Sequence, residues 1–408
     1  MAITIEQSPH STTPAYEDII YVISSTNSGN TNFKYVIDIV VNGTSNRITV
    51  FPHPSFGTAY VNIGKIIETY ISSNIDDSTF GFQEAASSYE DFTVQFGEQY
   101  GDPVVVFANL TSTTGTAWNG IVDFLPFSTY SSTGYLEYVM STNAASDYLT
   151  EQTSNVIIRD SEDAWLYGLT DTSGTIGYAE VITKDSAGST IQTINIQNPY
   201  TNTDVFDGKV VSFSTGTNNL NSIDASQITL GAQPIITASV ASYDIKWFNL
   251  SSSAVSPTQT YTIENTCTRN NLYRFHFLNK KGGFDSFTFY RADSKSVRIQ
   301  RDSYKKGADS FSNSTTYGYG TGARTNIAYN TKLTDTITVL SDWIDEETST
   351  WLEQLISSPE VYLVDDTYGL VAINISNSSY DFKQEETQKL FNLRINFTYS
   401  YNRFRQRY

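Results

Sequence analysis

The chain has 408 residues, with 43 Asp and Glu against 25 Lys and Arg, and its charged share of 17% lies well under the usual share of roughly 25%. With 24 Gly and 10 Pro it is neither collagen-like nor a Pro/Gly low-complexity chain, and it is long enough for two or three domains of roughly 150 residues each. Its single cysteine, Cys267, excludes an internal disulfide and a zinc site built from several cysteines.

The N-terminus reads Met1-Ala2-Ile3-Thr4-Ile5-Glu6, with no basic flank before an apolar core, so a secretory leader is not expected. Ile19 to Ser24 predicts a strand. Phe33, Tyr35, Ile37, Ile39 and Val41 alternate with Lys34 and Asp38, the pattern of a half-buried strand. Asn42-Gly43 tolerates positive φ and predicts a tight turn into a second strand at Arg47 to Phe51. Pro52 and Pro54 bracket His53 in a rigid turn. Ile63, Ile66, Ile67, Tyr70 and Ile71 recur at helical spacing and predict a short amphipathic helix at about 62–72.

Further strands are expected at Phe92 to Phe96, Val104 to Asn109 and Gly120 to Leu125. Pro103 to Val122 is uncharged and long enough to cross a bilayer, but its many Thr, Ser and Asn residues argue against a span. Ile176 to Thr183, the turn at Lys184 to Gly188, and Thr190 to Ile196 form a hairpin pattern. Asn198-Pro199 breaks it, and the main domain division is placed near 200.

The second half opens with strands near Gly208 to Phe213, Ile235 to Phe248 and Tyr261 to Thr266. Tyr273, Phe275 and Phe277 alternate with Arg274 and His276, Asn279-Lys280-Lys281-Gly282-Gly283 predicts a turn, and Phe284 to Tyr290 returns. Residues 311–330, rich in Ser, Thr, Tyr and Gly, read as a long loop. Trp343 to Ser357 predicts a helix with Trp351, Leu352, Leu355 and Ile356 on its apolar face and acids in its first turn. Strands follow at Glu360 to Val364 and Leu370 to Ile375, joined by a turn at Asp365 to Gly369. A long last strand at 391–401 puts Phe391, Leu393, Ile395, Phe397, Tyr399 and Tyr401 on one face. No repeat of fixed period is visible, which disfavours propellers and solenoids.

The expectation is a mainly β chain: antiparallel β-sandwich or barrel domains with two short helices, at about 62–72 and 343–357. Residues 1–200 make an acidic N-terminal β region, whose finer division would fall near 105. Residues 201–408 make a C-terminal β domain.

Charge is unevenly placed. Residues 1–200 hold 22 acidic and five basic residues, a balance of −17, while 201–408 hold 21 and 20. Residues 269–306 hold ten basic residues against Asp285, Asp293 and Asp302. Opposite surfaces of this kind steer association. The candidate subunit-interface residues are therefore Arg269, Arg274, Lys280, Lys281, Arg291, Lys295, Arg298, Arg301, Lys305 and Lys306, joined by Arg403, Arg405 and Arg407 of the basic, aromatic C-terminus. The plainer reading is a set of solvated basic strands. Aromatics among these cations superficially suit base stacking, yet they alternate as a buried face in a chain of net charge −18, so nucleic-acid binding is not expected.

Chemistry is hard to locate. His10, His53 and His276 are the only histidines, and none has a partner at ligand spacing. No Gly-x-Ser-x-Gly elbow marks a nucleophile. The acidic doublets lie on adjacent residues, which point to opposite faces of a strand and cannot form a glycosidase pair. No catalytic residue, metal site or cofactor is expected.

Four stretches resemble virion structural proteins of tailed bacteriophages, especially those of Bacteroidota-infecting and crAss-like phages: Ser24-Ser25-Thr26 through Asn32 to Val36 with Asp38; Val50 to Pro54 through the 62–72 helix; Arg274 to Phe289 with its Asn-Lys-Lys-Gly-Gly turn; and Trp351 through Tyr362 into the last strand. The resemblance implies a non-enzymatic, β-rich tail, baseplate or neck component. Such a component sits in a ring in the virion and is made in the host cytoplasm. Its partners would be further copies of itself and other virion proteins. The alternative is a receptor- or carbohydrate-binding tail module, with Tyr317 and Tyr319 as loop contacts to a host glycan.

Overall fold

The computed structural model describes residues 3–73, 75–103, 105–122, 138–140, 146–170, 176–200, 209–265, 271–306, 322, 324–377 and 391–405. The chain groups into two compact units: unit 1 is 1–266 with 278–285, and unit 2 is 267–277 with 286–408.

Unit 1 begins with nine strands: β1 (Ile3–Gln7), β2 (Thr12–Pro14), β3 (Ile20–Ser25), β4 (Lys34–Val41), β5 (Thr44–Val50), β6 (Ala59–Asn62), β7 (Phe82–Glu84), β8 (Tyr89–Tyr100) and β9 (Val105–Trp118). One sheet runs β2-β9-β8-β4-β5, another β1-β3-β6. They share a core in which Tyr35, Ile37, Ile39 and Val41 of β4 meet Tyr21 and Ile23 of β3. The alternation predicted for β4 is observed. Asn42 and Gly43 both take positive φ, +47° and +71°, which closes the β4–β5 hairpin. On the outer face Arg47 grips Asp38 bidentately at 2.6 Å. The helix expected at about 62–72 is one α-turn, α1 (Gly64–Ile67), running into a 3-10 turn at Glu68–Tyr70.

The rest of unit 1 adds β10 (Val139–Met140), β11 (Asn155–Ile158), β12 (Trp165–Thr170), β13 (Tyr178–Lys184), β14 (Thr190–Gln197), β15 (Val210–Ser214), the short helix α2 (Thr217–Asn221), β16 (Ile228–Leu230), β17 (Ser242–Phe248) and β18 (Gln259–Ile263). A four-stranded sheet, β10-β12-β15-β7, and a six-stranded sheet, β11-β18-β17-β13-β14-β16, share a second core around Trp247, Phe82, Phe213 and Tyr148. Strands from both sides of Asn198-Pro199 stand in that six-stranded sheet. Three of the sheets are mixed rather than purely antiparallel: β2–β9, β10–β12 and β11–β18 pair parallel.

The last sheet has eight strands: β19 (Tyr273–Leu278), β20 (Phe284–Phe289), β21 (Ala292–Lys305), β22 (Asn326–Ile344), β23 (Val361–Asp365), β24 (Gly369–Ile375), β25 (Phe391–Tyr399) and β26 (Arg403–Phe404), in the order β20-β19-β23-β24-β25-β22-β21 with β26 beside β22. Helix α3 (Glu346–Ser357) sets Trp351, Leu352 and Leu355 into the core with Phe275, Phe289, Ile395 and Phe397. Two expectations are corrected here. The helix begins at Glu346 because Asp345 caps it, accepting from the Thr348 N–H at 2.8 Å, and Trp343 and Ile344 end β22 instead. Residues 326–330 open β22 rather than closing a loop, because Ile327 and its neighbours pair with Ser303 to Lys305. The Asp365 turn is as expected, with its carboxylate accepting from the Thr367 and Tyr368 amides.

Candidate assembly interface

The thirteen candidate basic residues separate into two sets and a remainder. The first set points inward or into internal pairs. Arg274 is buried and its guanidinium reaches the Thr288 hydroxyl at 3.0 Å. Lys281 is buried in unit 1, where its ammonium donates to the Thr150 carbonyl at 3.0 Å and lies 4.0 Å from the Tyr138 ring centre. Burial pushes the Lys281 pKa down from its ordinary value, while Glu151 and Asp147 pull it back up. Lys280 pairs with Glu151 at 2.7 Å. The turn that carries both lysines is held in unit 1 by the Asn279 side chain: its carboxamide oxygen accepts from the Lys281 and Gly283 amides, and its nitrogen donates to the Leu149 carbonyl. Arg291 pairs with Asp342 at 2.6 Å, which also accepts from Tyr290. Burial raises the Asp342 pKa, and these hydrogen bonds outweigh it and hold the carboxyl below its usual value.

Arg274 and Lys281 therefore correct the expectation that all the basic residues line one docking surface. Burial in the sheet and in a close-packed turn decides their place, and charge does not.

The second set is exposed. Lys295, Arg298, Arg301 and Lys305 lie on β21, and Lys306 follows it. Strand β21 is an edge: among the described residues it pairs only with β22. The ladder is regular from Ala292↔Leu340 to Asp302↔Asn330, with a register shift beyond Asp302. β25 pairs with β22 only from Thr336 onward, and β26 only at Lys332 and Leu333. The far end of the β21–β22 pair is thus a narrow ribbon. Alternation puts Lys295, Val297, Ile299 and Arg301 on one face of β21, opposite Ile337, Asp335, Leu333 and Thr331, and Arg298 on the other face. Val297 and Ile299 are 48% and 47% exposed. The β21 edge is basic on both faces and apolar in the middle of one.

Of the C-terminal arginines, Arg403 sits opposite Leu333 and pairs with Asp335 at 2.5 Å, and the Arg405 amide donates to the Thr331 carbonyl. Arg405 and Phe404 are exposed too, on the side of β22 away from β21. Arg269, Arg407, Tyr317 and Tyr319 lie outside the described residues.

The charge asymmetry follows the two units more closely than the two halves of the chain. Unit 1 carries 28 acidic and nine basic residues, a balance of −19, and unit 2 carries 15 and 16, a balance of +1.

The histidines take structural places. His53 stacks on Phe56 with ring centres 4.8 Å apart, in a loop where Phe51 and Phe56 are strongly exposed, as is Tyr60 of β6. His10 accepts from the Thr12 amide. His276 is buried, its Nδ1 lies 2.6 Å from the Ser286 hydroxyl, and burial with the nearby Arg274 holds its pKa well below the ordinary histidine value. Among the described residues no group of three or more His, Cys, Asp or Glu is placed to hold a metal ion, and no helix is long and apolar enough to cross a membrane.

Sequence reasoning missed the exposed Val297 and Ile299 and the strands that carry them. The signal for β22 was present: Thr334, Thr336 and Thr338 alternate with Asp335, Ile337 and Val339, a β-branched run. For β21 it was weak, because between Ala292 and Tyr304 only Val297 and Ile299 break a polar sequence.

No family model and no curated protein matches the chain. Among solved structures, CBD12 from CALX1.2 aligns over 65% of this chain and 100% of its own at 8% identity and a TM-score of 0.19. The plexin A4 extracellular region aligns over 97% of this chain and 31% of its own at 10% identity and 0.16. A Salmonella alpha-2-macroglobulin mutant aligns over 96% and 29% at 9% identity and 0.17. Likenesses at these scores establish no shared fold.

Proposed function

We propose that the chain is a non-enzymatic structural subunit of a bacteriophage tail, built into a baseplate, tail or neck ring by head-to-tail contacts. The exposed basic edge of one copy meets the acidic unit 1 of the next. The observation that carries the reading is the partition of charge: −19 in unit 1 against exposed Lys295, Arg298, Arg301 and Lys305 on a single strand. Contacts between unlike surfaces are heterologous, and heterologous contacts close into rings when the rotation per subunit allows it. Complementary charge sets the orientation and speeds the encounter. The phage assignment draws on the sequence resemblance; the assembly mode draws on the charges.

Light scattering at low and high salt tests the reading. A multimer at about 20 mM salt that falls toward 45.5 kDa at about 500 mM is expected, because the screening length drops to a few ångströms. The triple variant Arg298→Glu, Arg301→Glu, Lys305→Glu should stay folded and monomeric at both. A monomer at every salt overturns self-assembly through charge.

A further inference from the structure

Strand β21 combines features that a folded protein seldom leaves at a sheet edge. It is 14 residues long, roughly 46 Å at a rise of about 3.3 Å per residue. Edge strands expose every second pair of main-chain N–H and C=O groups, and proteins usually blunt them with short length, proline, bulges or a covering element. Residues 292–305 contain no proline and no glycine, and the ladder is regular through Asp302. Among the described residues the guards are the register shift beyond Asp302 and positive charge, from Lys295, Arg298, Arg301 and Lys305. Positive charge rejects a cationic strand and a second β21. It does not reject an acidic one. Val297 and Ile299 lie half exposed between Lys295 and Arg301, where a strand laid alongside would cover them.

We propose that β21 is a docking edge. An extended, acidic segment in unit 1 of a second copy adds to it main chain to main chain, with side chains covering Val297 and Ile299 and carboxylates set against Lys295, Arg298 and Arg301. This rests on the assembly reading above and deepens it. Charge complementarity names the occupant, because unit 1 holds 28 of the chain's 43 acidic residues. Main-chain pairing supplies affinity, while the alternating side chains supply register. The same edge could otherwise serve only as a guard that keeps the protein from aggregating, and the test separates the two roles.

Amide hydrogen exchange over 292–305 is compared between assembled and diluted protein at one ionic strength. Strand addition slows alternate amides of β21 at least tenfold on assembly, because alternate N–H groups face away from β22. Two uncharged positions an odd number of residues apart, so that one of them carries an outward N–H, are changed: Gln300→Pro and Ser303→Pro, with Gln300→Ala and Ser303→Ala as controls. One of the two prolines removes an outward N–H and keeps the fold; it should abolish assembly while its alanine control assembles. If that proline variant assembles like wild type and the β21 amides do not slow, while charge reversal still dissolves the multimer, strand addition is overturned and assembly by charge stands. If charge reversal leaves the multimer intact, or no multimer forms, the assembly reading falls and the docking edge falls with it.

Discussion

Lys280-Lys281 and Lys305-Lys306 are the same dipeptide 25 residues apart, and they meet opposite fates. The first pair sits in a turn of unit 1, with Lys281 buried against Tyr138 and the Thr150 carbonyl and Lys280 paired with Glu151. The second stands at the exposed end of the β21 edge. The difference lies in the neighbours. Around 279–283, Asn279 and the glycines fold the chain tightly enough to leave a lysine inside, where a carbonyl and a ring take up its ammonium. Along β21, Ser, Arg, Gln and Asp give the strand little to bury, so its cations stay exposed, Lys295 lying 6.0 Å from the Tyr273 ring centre. Charge written in sequence becomes a surface only where the fold leaves it unburied.

This contrast can be broken in order of size. Lys281→Glu puts a buried carboxylate beside Glu151, Asp147 and Asp285, and should cost about 3–5 kcal/mol by urea denaturation, the range for an uncompensated buried charge. Lys305→Glu should change stability by less than about 0.5 kcal/mol. Equal costs would mean the two lysines are not differently placed. Gly282→Ala should cost about 2–3 kcal/mol: Gly282 has φ +94°, and an added Cβ would come within 1.9 Å of the Asn119 carbonyl oxygen. A neutral result would show the turn is looser than described.

The third test is a pH dependence. The folded state holds the His276 pKa below its ordinary value of 6.5, so this contribution is fully present above about pH 6.5. It is lost as pH falls, because the unfolded chain then binds a proton that the native chain refuses. The loss approaches about 1.4 kcal/mol per pH unit. Denaturation midpoints between pH 7 and 5 should fall for wild type and fall less for His276→Asn. Parallel profiles would remove His276 from the account.

Much of the framework was legible from alternation. Tyr35, Ile37, Ile39 and Val41 announced β4, Asn42-Gly43 its turn, and Trp351, Leu352 and Leu355 the helix face. Two things were hidden. The first was the ribbon: a strand that packs little carries little hydrophobic alternation, and β21 has only Val297 and Ile299 between its terminal Ala292 and Tyr304 to show. The second was the inward turn of Arg274 and Lys281. Burial of a cation depends on partners distant in sequence, such as Thr150 and Tyr138, that no local pattern names. The candidate site was thus readable as a charge but not as a place.

The most direct measurement is the absolute mass, by light scattering, of the wild type and of the Arg298→Glu, Arg301→Glu, Lys305→Glu variant, each at about 20 and 500 mM salt. The account predicts a salt-sensitive multimer for the wild type and a folded monomer for the variant at both salts. A multimer in both proteins, unmoved by salt, would contradict it, as would a wild type that stays at 45.5 kDa throughout.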